Sequence, residues 1–567
     1  MNDWITYFEQ SGETESPSYK DTMAFFSRLE EKTKMAKLIS LGTSSQGRDI
    51  KCLVAAKGNH FTPQKAKRSG KAIVLIQNGI HPGEIEGKDA SMLLLREILI
   101  TKEKKDLLDN IVLLIIPILN VDGHERLSPY NRPNQNGPRM MGFRTTALNL
   151  NLNRDYMKAD TPEMRALLRL FSTWLPDFYI DNHTTNGVDY QYNLTYGMEK
   201  HQNIFGALSK WGQEKFIPHI KAETEKKGFL STSYIELIRK ELEQGFSDWA
   251  SRPMYSNGYA ALQNRLLLLI ETHSLKPFSN RVYSTKAMVE SSLEFINNNY
   301  KELKKINKQA DRETIKRYAE GKTSFPITFQ GTDEFSLIDF KGIEYKTEES
   351  TITGSVIKRY NGTPVDIKVP CYNKVEVTKR VKLPAAYVIP AEFKDIISKL
   401  KLHGIKVDTL KENSFLTVEQ YHFTDYKFAE RPYEGRQRVV VKCETIPVKI
   451  EFPSGTFIVN TKQRGIRLIA NLLEPEAPDS FTSWGFFNAF FERKEYAEDF
   501  VMEPVAQGML GEDPQLLSEF ETRLRDDEEF RQNPQERLDF FYKKSVYFDR
   551  RENIYPIFRL MEKIQPS

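Results

Sequence analysis

The chain has 567 residues, of which 40% are hydrophobic and 28% charged, with a formal net charge of +4. That length exceeds what one hydrophobic core fills, so two or three domains are expected. The small net charge, without a Lys/Arg block, excludes a nucleic-acid arm, and no apolar run reaches the roughly 18–20 residues that span a bilayer. In chain order, residues 1–17 lack the charged-then-apolar pattern of a signal peptide. The protein is therefore read as cytoplasmic if Met1 is native, and as periplasmic or secreted if a signal was trimmed. "KAIVLIQNG" (71–79) is a strand apolar enough to be buried on both faces. "GKDASMLLLREILITKEKKD" (87–106) has apolar residues at helical spacing, with lysines toward its end where the helix dipole favours them. "NIVLLIIPILNVDG" (110–123) is the next strand, closed by a turn-forming Asp-Gly.

"TPEMRALLRLFSTWL" (161–175) is a helix with Thr161 as N-cap, Pro at the first position and Glu in the first turn. "PDFYIDNH" (176–183) and "NRLLLLIETH" (264–273) are two further strands. Strands separated by helices predict a wound α/β sheet with its site at the strands' carboxyl ends. The mixed-sign stretch 304–317 reads as the solvated face of a helix. Beyond about residue 320 the rhythm changes. Residues 350–390 show short, alternating, β-branched runs with turn signals, the pattern of an antiparallel β domain. Residues 391–410 read as a helix feeding a strand, and 516–544 as charged helix. The expected organisation is a catalytic domain over 1–315, a β-rich accessory domain over 320–470, and a mixed, partly helical region over 471–567. Aromatic-rich "FTSWGFFNAFFE" (481–492) could stack sugars, but core packing is the expected role. Cys52, Cys371 and Cys443, odd in number and far apart, read as free thiols.

Chemistry concentrates where strands end. "HPGE" puts His81 at a strand end and Glu84 near the start of the next helix, where both can reach one cation and the helix dipole favours a carboxylate. His183 follows another strand, and Asp181, two residues earlier, points to the same side as a supporting acceptor. Glu271 ends an almost wholly apolar strand, where a carboxylate is costly to bury without a task. Beside a metal it suits general acid/base work, and His273 ranks below it. His60, His124, His201, His219, His403 and His422 are read as ordinary side chains.

Together these residues resemble the zinc metallocarboxypeptidases of the funnelin type. Supporting pieces occur in order over about residues 20–300: "GTSSQGR" (42–48), "PILNVDG" (117–123) with Val121 where proline is usual, "NLNLNRDY" (149–156) and "IETH" (270–273). The resemblance implies one Zn2+ per chain, held by His81, Glu84 and His183, and Glu271 as the glutamate that activates water. It assigns Asn153 and Arg154 to the substrate's terminal carboxylate, which a guanidinium grips by two parallel hydrogen bonds. Asn151 stands where the family has an aspartate behind its first ligand histidine. The oxyanion arginine falls among Arg132, Arg139 and Arg144, with Arg144 favoured. The substrate-side tyrosine is Tyr255 or Tyr259, with Tyr255 favoured beside its Gly-containing loop. The largely apolar stretch between Tyr255 and Glu271 suggests a neutral or apolar terminal residue. The implied substrate is a peptide with a free C-terminal carboxylate. Two alternatives stand beside this: a same-fold amidohydrolase acting on N-acyl amino acids or cell-wall peptides, and a catalytically inactive binding protein.

Overall fold

The computed structural model describes residues 2–185, 188–238, 242 and 244–562. The strands of the first half are β1 (Ala36–Thr43), β2 (Asp49–Ala55), β3 (Ala72–Gln77), β4 (Ile111–Ile116), β5 (Phe178–Thr184), β6 (Leu194–Gly197), β7 (Ser231–Ser233), β8 (Glu236–Leu237), β9 (Phe246–Ser247) and β10 (Leu266–Thr272). Eight of them form one mixed sheet in the order β1-β2-β4-β3-β5-β10-β6-β7. Its centre, β4-β3-β5-β10, is parallel throughout, while β1 and β2 run antiparallel to their neighbours and β6 runs antiparallel to β10 and parallel to β7. Every residue of β3, β4 and β5 is buried, which is why their sequences carry no polar alternation. One face packs against Leu167, Leu170 and Phe171 of the helix Pro162–Trp174. The other packs against Leu94 and Ile98 of the helix Glu86–Leu99 and Met288 and Leu293 of the helix Phe278–Tyr318. Thr161 caps the first of these helices through Met164 N–H, with Pro162 in its first turn.

The helix after β3 is shorter than its sequence pattern. It ends at Leu99, and Lys102 takes a left-handed φ of +64°. The lysines at 102–105 therefore lie beyond the last turn; leaving the helix there lets Leu107 and Leu108 enter the core. Asp122-Gly123 likewise belongs to a helical turn, Val121–His124, that Asn120 caps.

Glu290, on the long helix, makes ion pairs with Lys104, Lys227 and Lys286. Burial opposes its charge, but the lysines prevail and bring its carboxyl from 4.5 down to about 2. A depressed folded value stabilises above the unfolded value and is lost as pH falls through the folded one. Glu290→Gln is expected to lower the melting temperature by a few degrees at pH 7. In paired melting curves the gap to wild type should close between pH 4.5 and 2; a gap constant over that window would refute the assignment.

Beyond Tyr318 the chain is β-rich: β11 (Phe325–Gly331), β12 (Ser336–Glu349), β13 (Val356–Tyr372), β14 (Val375–Val381), β15 (Ala386–Ile389), β16 (Asp408–Thr409), β17 (Ser414–Phe428), β18 (Val439–Phe452), β19 (Phe457–Asn460) and β20 (Phe558–Leu560). The expectation of short strands at 350–390 is corrected. β13 runs unbroken for 17 residues, because Asn361-Gly362-Thr363 is absorbed as a bulge opposite Glu344 rather than forming a turn. At its end β13 pairs in parallel with β9, Cys371 with Phe246 and Tyr372 with Ser247, so the β12–β13 hairpin is joined to the first half of the chain. Phe246, Phe340, Val369, Tyr190 and Tyr192 share a small apolar cluster there. A six-stranded sheet, β16-β19-β15-β20-β17-β18, and a helical cluster over 499–544 follow. Phe481, Trp484 and Phe487 of the aromatic stretch are at most 1% exposed, so it packs inward.

Candidate active site

After β3 the backbone turns at Gly79 (φ +63°), passes through His81-Pro82-Gly83-Glu84, and enters the helix Glu86–Leu99. That helix lies so close to the sheet that a Cβ at Gly87 would overlap Asn78 and Asn182. β5 delivers His183 beside it. The result is a buried group in which one ligand atom from each of His81, Glu84 and His183 lies within 4.8 Å of the others. Both imidazoles turn Nδ1 toward the same oxygen, Glu84 Oε2, at 3.2 Å from His81 and 2.9 Å from His183. The outer nitrogens are engaged: His81 Nε2 lies 2.9 Å from Asn151 Oδ1, and His183 Nε2 lies 3.0 Å from Asp181 Oδ2. A proton on each outer nitrogen leaves the Nδ1 lone pairs aimed at the centre. Two nitrogens and a carboxylate converging this way suit zinc. Burial pushes His81 down to about 4, so its ring is neutral, as a ligand must be, whereas Asp181 and Glu84, against burial, hold His183 well above the usual imidazole range, so a cation binding there must displace its Nδ1 proton.

Glu271 sits directly beside His183 in the parallel register of β10 and β5, and so projects from the same face. Burial, reinforced by the charges of Glu84 and Asp181, pushes its carboxyl up to about 8, against the opposing pull of His183. The two strand ends share an anchor. Thr184 and Thr272 hydroxyls both donate to Glu86 Oε1, the latter at 2.7 Å, and Arg281 approaches the other oxygen at 3.7 Å. Sequence reasoning missed Glu86; a buried acid on an apolar helix face was its signal.

Asn153 and Arg154 lie in a short helical turn, Leu152–Arg154, and both line the same cavity, whose volume is about 550 Å3. Asn153 Oδ1 accepts from Ser256 N–H at 3.2 Å. Arg154 does not pair with Asp155, which is taken by Lys158 at 2.7 Å and by Thr161. Its guanidinium lies 4.5 Å from the Tyr255 ring centre and bonds the Tyr433 hydroxyl at 2.8 Å. Among the described residues no carboxylate stands within ion-pair distance of Arg154. Asn151, besides facing His81, has its backbone N–H held by Glu434 at 2.8 Å, so the loop 433–434 braces this corner.

Of the three candidate arginines, Arg144 lines the cavity and reaches Glu84 Oε1 at 3.2 Å. Arg132 reaches the same oxygen at 2.8 Å from a more buried position, and Arg139 pairs with Glu15 at the surface. Tyr255 lines the cavity, whereas Tyr259 is buried elsewhere against His403 and Gln263. Tyr234 was missed: it lines the cavity, and the charge of Glu271 is the main cause raising its hydroxyl. It follows β7 in a loop that no periodicity marks. His201, read from the sequence as ordinary, also lines the cavity, while His273 turns away to Asp189 at 3.0 Å. Between Tyr255 and Glu271 the lining residues are Asn257 and Leu269, and Ile338, Phe340 and Cys371 of the β12–β13 hairpin line the cavity too, with Asn373 just beyond β13.

Residues 22–259 match the zinc carboxypeptidase family. Carboxypeptidase 2 of Trichophyton rubrum is 24% identical over 490 residues, covering 83% of this chain and 84% of its own. Carboxypeptidase 2 of Trichophyton equinum is 25% identical over 440 residues, covering 74% of each. Among solved structures, a metallo-carboxypeptidase from Pseudomonas aeruginosa in complex with (2-guanidinoethylmercapto)succinic acid superposes with a TM-score of 0.37 at 17% identity, over 51% of this chain and 70% of that one. Glu271 and the β-rich half lie beyond the stretch that matches the family.

Proposed function

We infer that this chain, whose residues 22–259 form a zinc carboxypeptidase domain, hydrolyses the last amide bond of a peptide and releases its C-terminal amino acid. The observation that carries the reading is an arginine without a carboxylate partner, Arg154, in one cavity with the His81-Glu84-His183 group and Glu271. A guanidinium there is free to take a substrate carboxylate by charge-assisted bonds. One zinc ion per chain, held by His81, Glu84 and His183, would supply Lewis acidity at the scissile carbonyl and acidify the attacking water.

The chain's own residues do the rest. Arg154 and the Asn153 amide grip the terminal carboxylate, which fixes the scissile bond one residue in from the end. Glu271 takes the water's proton and delivers it to the departing amine. Arg144, at the cavity wall, faces the negative charge that develops on the carbonyl oxygen. Tyr255 packs on the Arg154 guanidinium and keeps it in place. The β12–β13 hairpin walls one side of the cavity.

A peptide library treated with zinc-loaded protein, with and without chelator, and read by mass spectrometry tests this. Single-residue losses from C-termini that stop with chelator are expected. Intact peptides with zinc bound, alongside cleavage of N-acyl amino acids or cell-wall peptides, would move the reading to an amidohydrolase. Zinc without any turnover would leave a binding protein.

A further inference from the structure

A second cavity, of about 780 Å3, lies outside the active site, between the segment 250–262, β11 and the β17–β18 pair. Its walls include Leu262, Phe325, Ile327, Phe428, Val439 and Val441. The volume and the mainly apolar lining are those of a small-molecule site. Arg467, from the helix Ile466–Leu473, forms part of the wall and is 2% exposed.

Among the described residues no carboxylate lies within ion-pair distance of Arg467. Its Nε has no hydrogen-bond partner, and its guanidinium donates to the carbonyl oxygen of Asn203. The Phe325 ring lies 5.4 Å away. Arg252 and Arg438 reach the same cavity, but both are paired with Asp479. Of the acids in the wall, Glu476 is held by Lys379 and Glu430 is exposed. A buried cation with no counter-charge is costly, and it stays only where something compensates it.

We propose that this cavity binds a small amphipathic anion, an apolar body carrying one carboxylate, with the carboxylate on Arg467 and the body among Phe325, Ile327, Val439 and Val441. A medium-chain fatty acid has that chemistry, whereas a free amino acid would bring an ammonium group as well. The site is wired to the active-site cavity. Asn203, which accepts from Arg467, also donates its side-chain amide to Glu199, and Glu199 accepts from Ser251 N–H at 3.2 Å. Glu199 lines the active-site cavity, and Ser251 lines both. An anion on Arg467 therefore bears on the wall that faces the substrate.

The test is calorimetric titration of the full-length zinc-loaded protein with decanoate, decanol, leucine and inorganic phosphate. Decanoate is expected to saturate one site per chain and to bind at least ten-fold tighter than decanol, with no binding of phosphate. Arg467→Met should erase the decanoate-over-decanol preference. Ala429→Trp, which fills the exposed mouth without touching the core, should abolish binding and leave the fold intact by circular dichroism. Leucine, whose ammonium group has no partner in the apolar walls, is expected to bind far more weakly than decanoate. Equal affinity for decanoate and decanol, leucine binding as tight as that of decanoate, binding that survives both variants, or no binding of decanoate would overturn the proposal.

Discussion

Glu271→Gln is expected to cut kcat for C-terminal release roughly 10²–10⁴-fold, the usual worth of a positioned general base, while zinc content stays that of wild type. The amide keeps the shape of the carboxylate but can neither take nor return a proton. Metal retention follows from geometry: the ligand atoms belong to His81, Glu84 and His183, and Glu271 reaches the site only as the neighbour of His183 on β10. Elemental analysis and turnover on one preparation separate the two roles. A variant that keeps more than a tenth of wild-type kcat would remove Glu271 from the chemistry, and one that loses zinc would make it a ligand.

The second large effect is at Arg154. Arg154→Met keeps much of the length of the stem but removes the guanidinium that lies over Tyr255 and would face the substrate carboxylate. Losing one partner of a buried, hydrogen-bonded charge pair costs about 2–5 kcal/mol. A mid-range loss of about 3 kcal/mol corresponds to roughly 10²-fold in kcat/KM. The loss should fall on substrates with a free C-terminus, and C-terminal amides, poor for wild type, should hardly change. Equal losses on acids and amides would show that Arg154 supports the fold, through Tyr433 and the Asn153 carbonyl, rather than reading the carboxylate.

The metal-facing residues were legible because strand ends mark them. β3 and β10 are almost wholly apolar and β5 opens on Phe178-Tyr179-Ile180, and a His or Glu at or just past the end of such a run stands out. The wound sheet was legible for the same reason, since runs buried on both faces alternate with helix-period segments. What surrounds the ligands was not. Arg132 and Arg144 reach Glu84 from a loop, Tyr234 enters from another, and the Tyr433-Glu434 pair is some 280 residues from the Arg154 and Asn151 it braces.

A candidate metal-ligand set on an α/β sheet, with a β-rich second half, can be read from local patterns along the chain. That the β12–β13 hairpin becomes a wall of the active-site cavity is not in those patterns, because it depends on β13 pairing with β9 more than a hundred residues earlier. Nor do they show that Asp155 goes to Lys158 rather than Arg154, or that among the described residues no carboxylate comes within ion-pair distance of Arg467. A local pattern reports which face a residue occupies. Which charges remain unpaired depends on what the rest of the chain brings within a few ångströms, and no spacing along the chain encodes that.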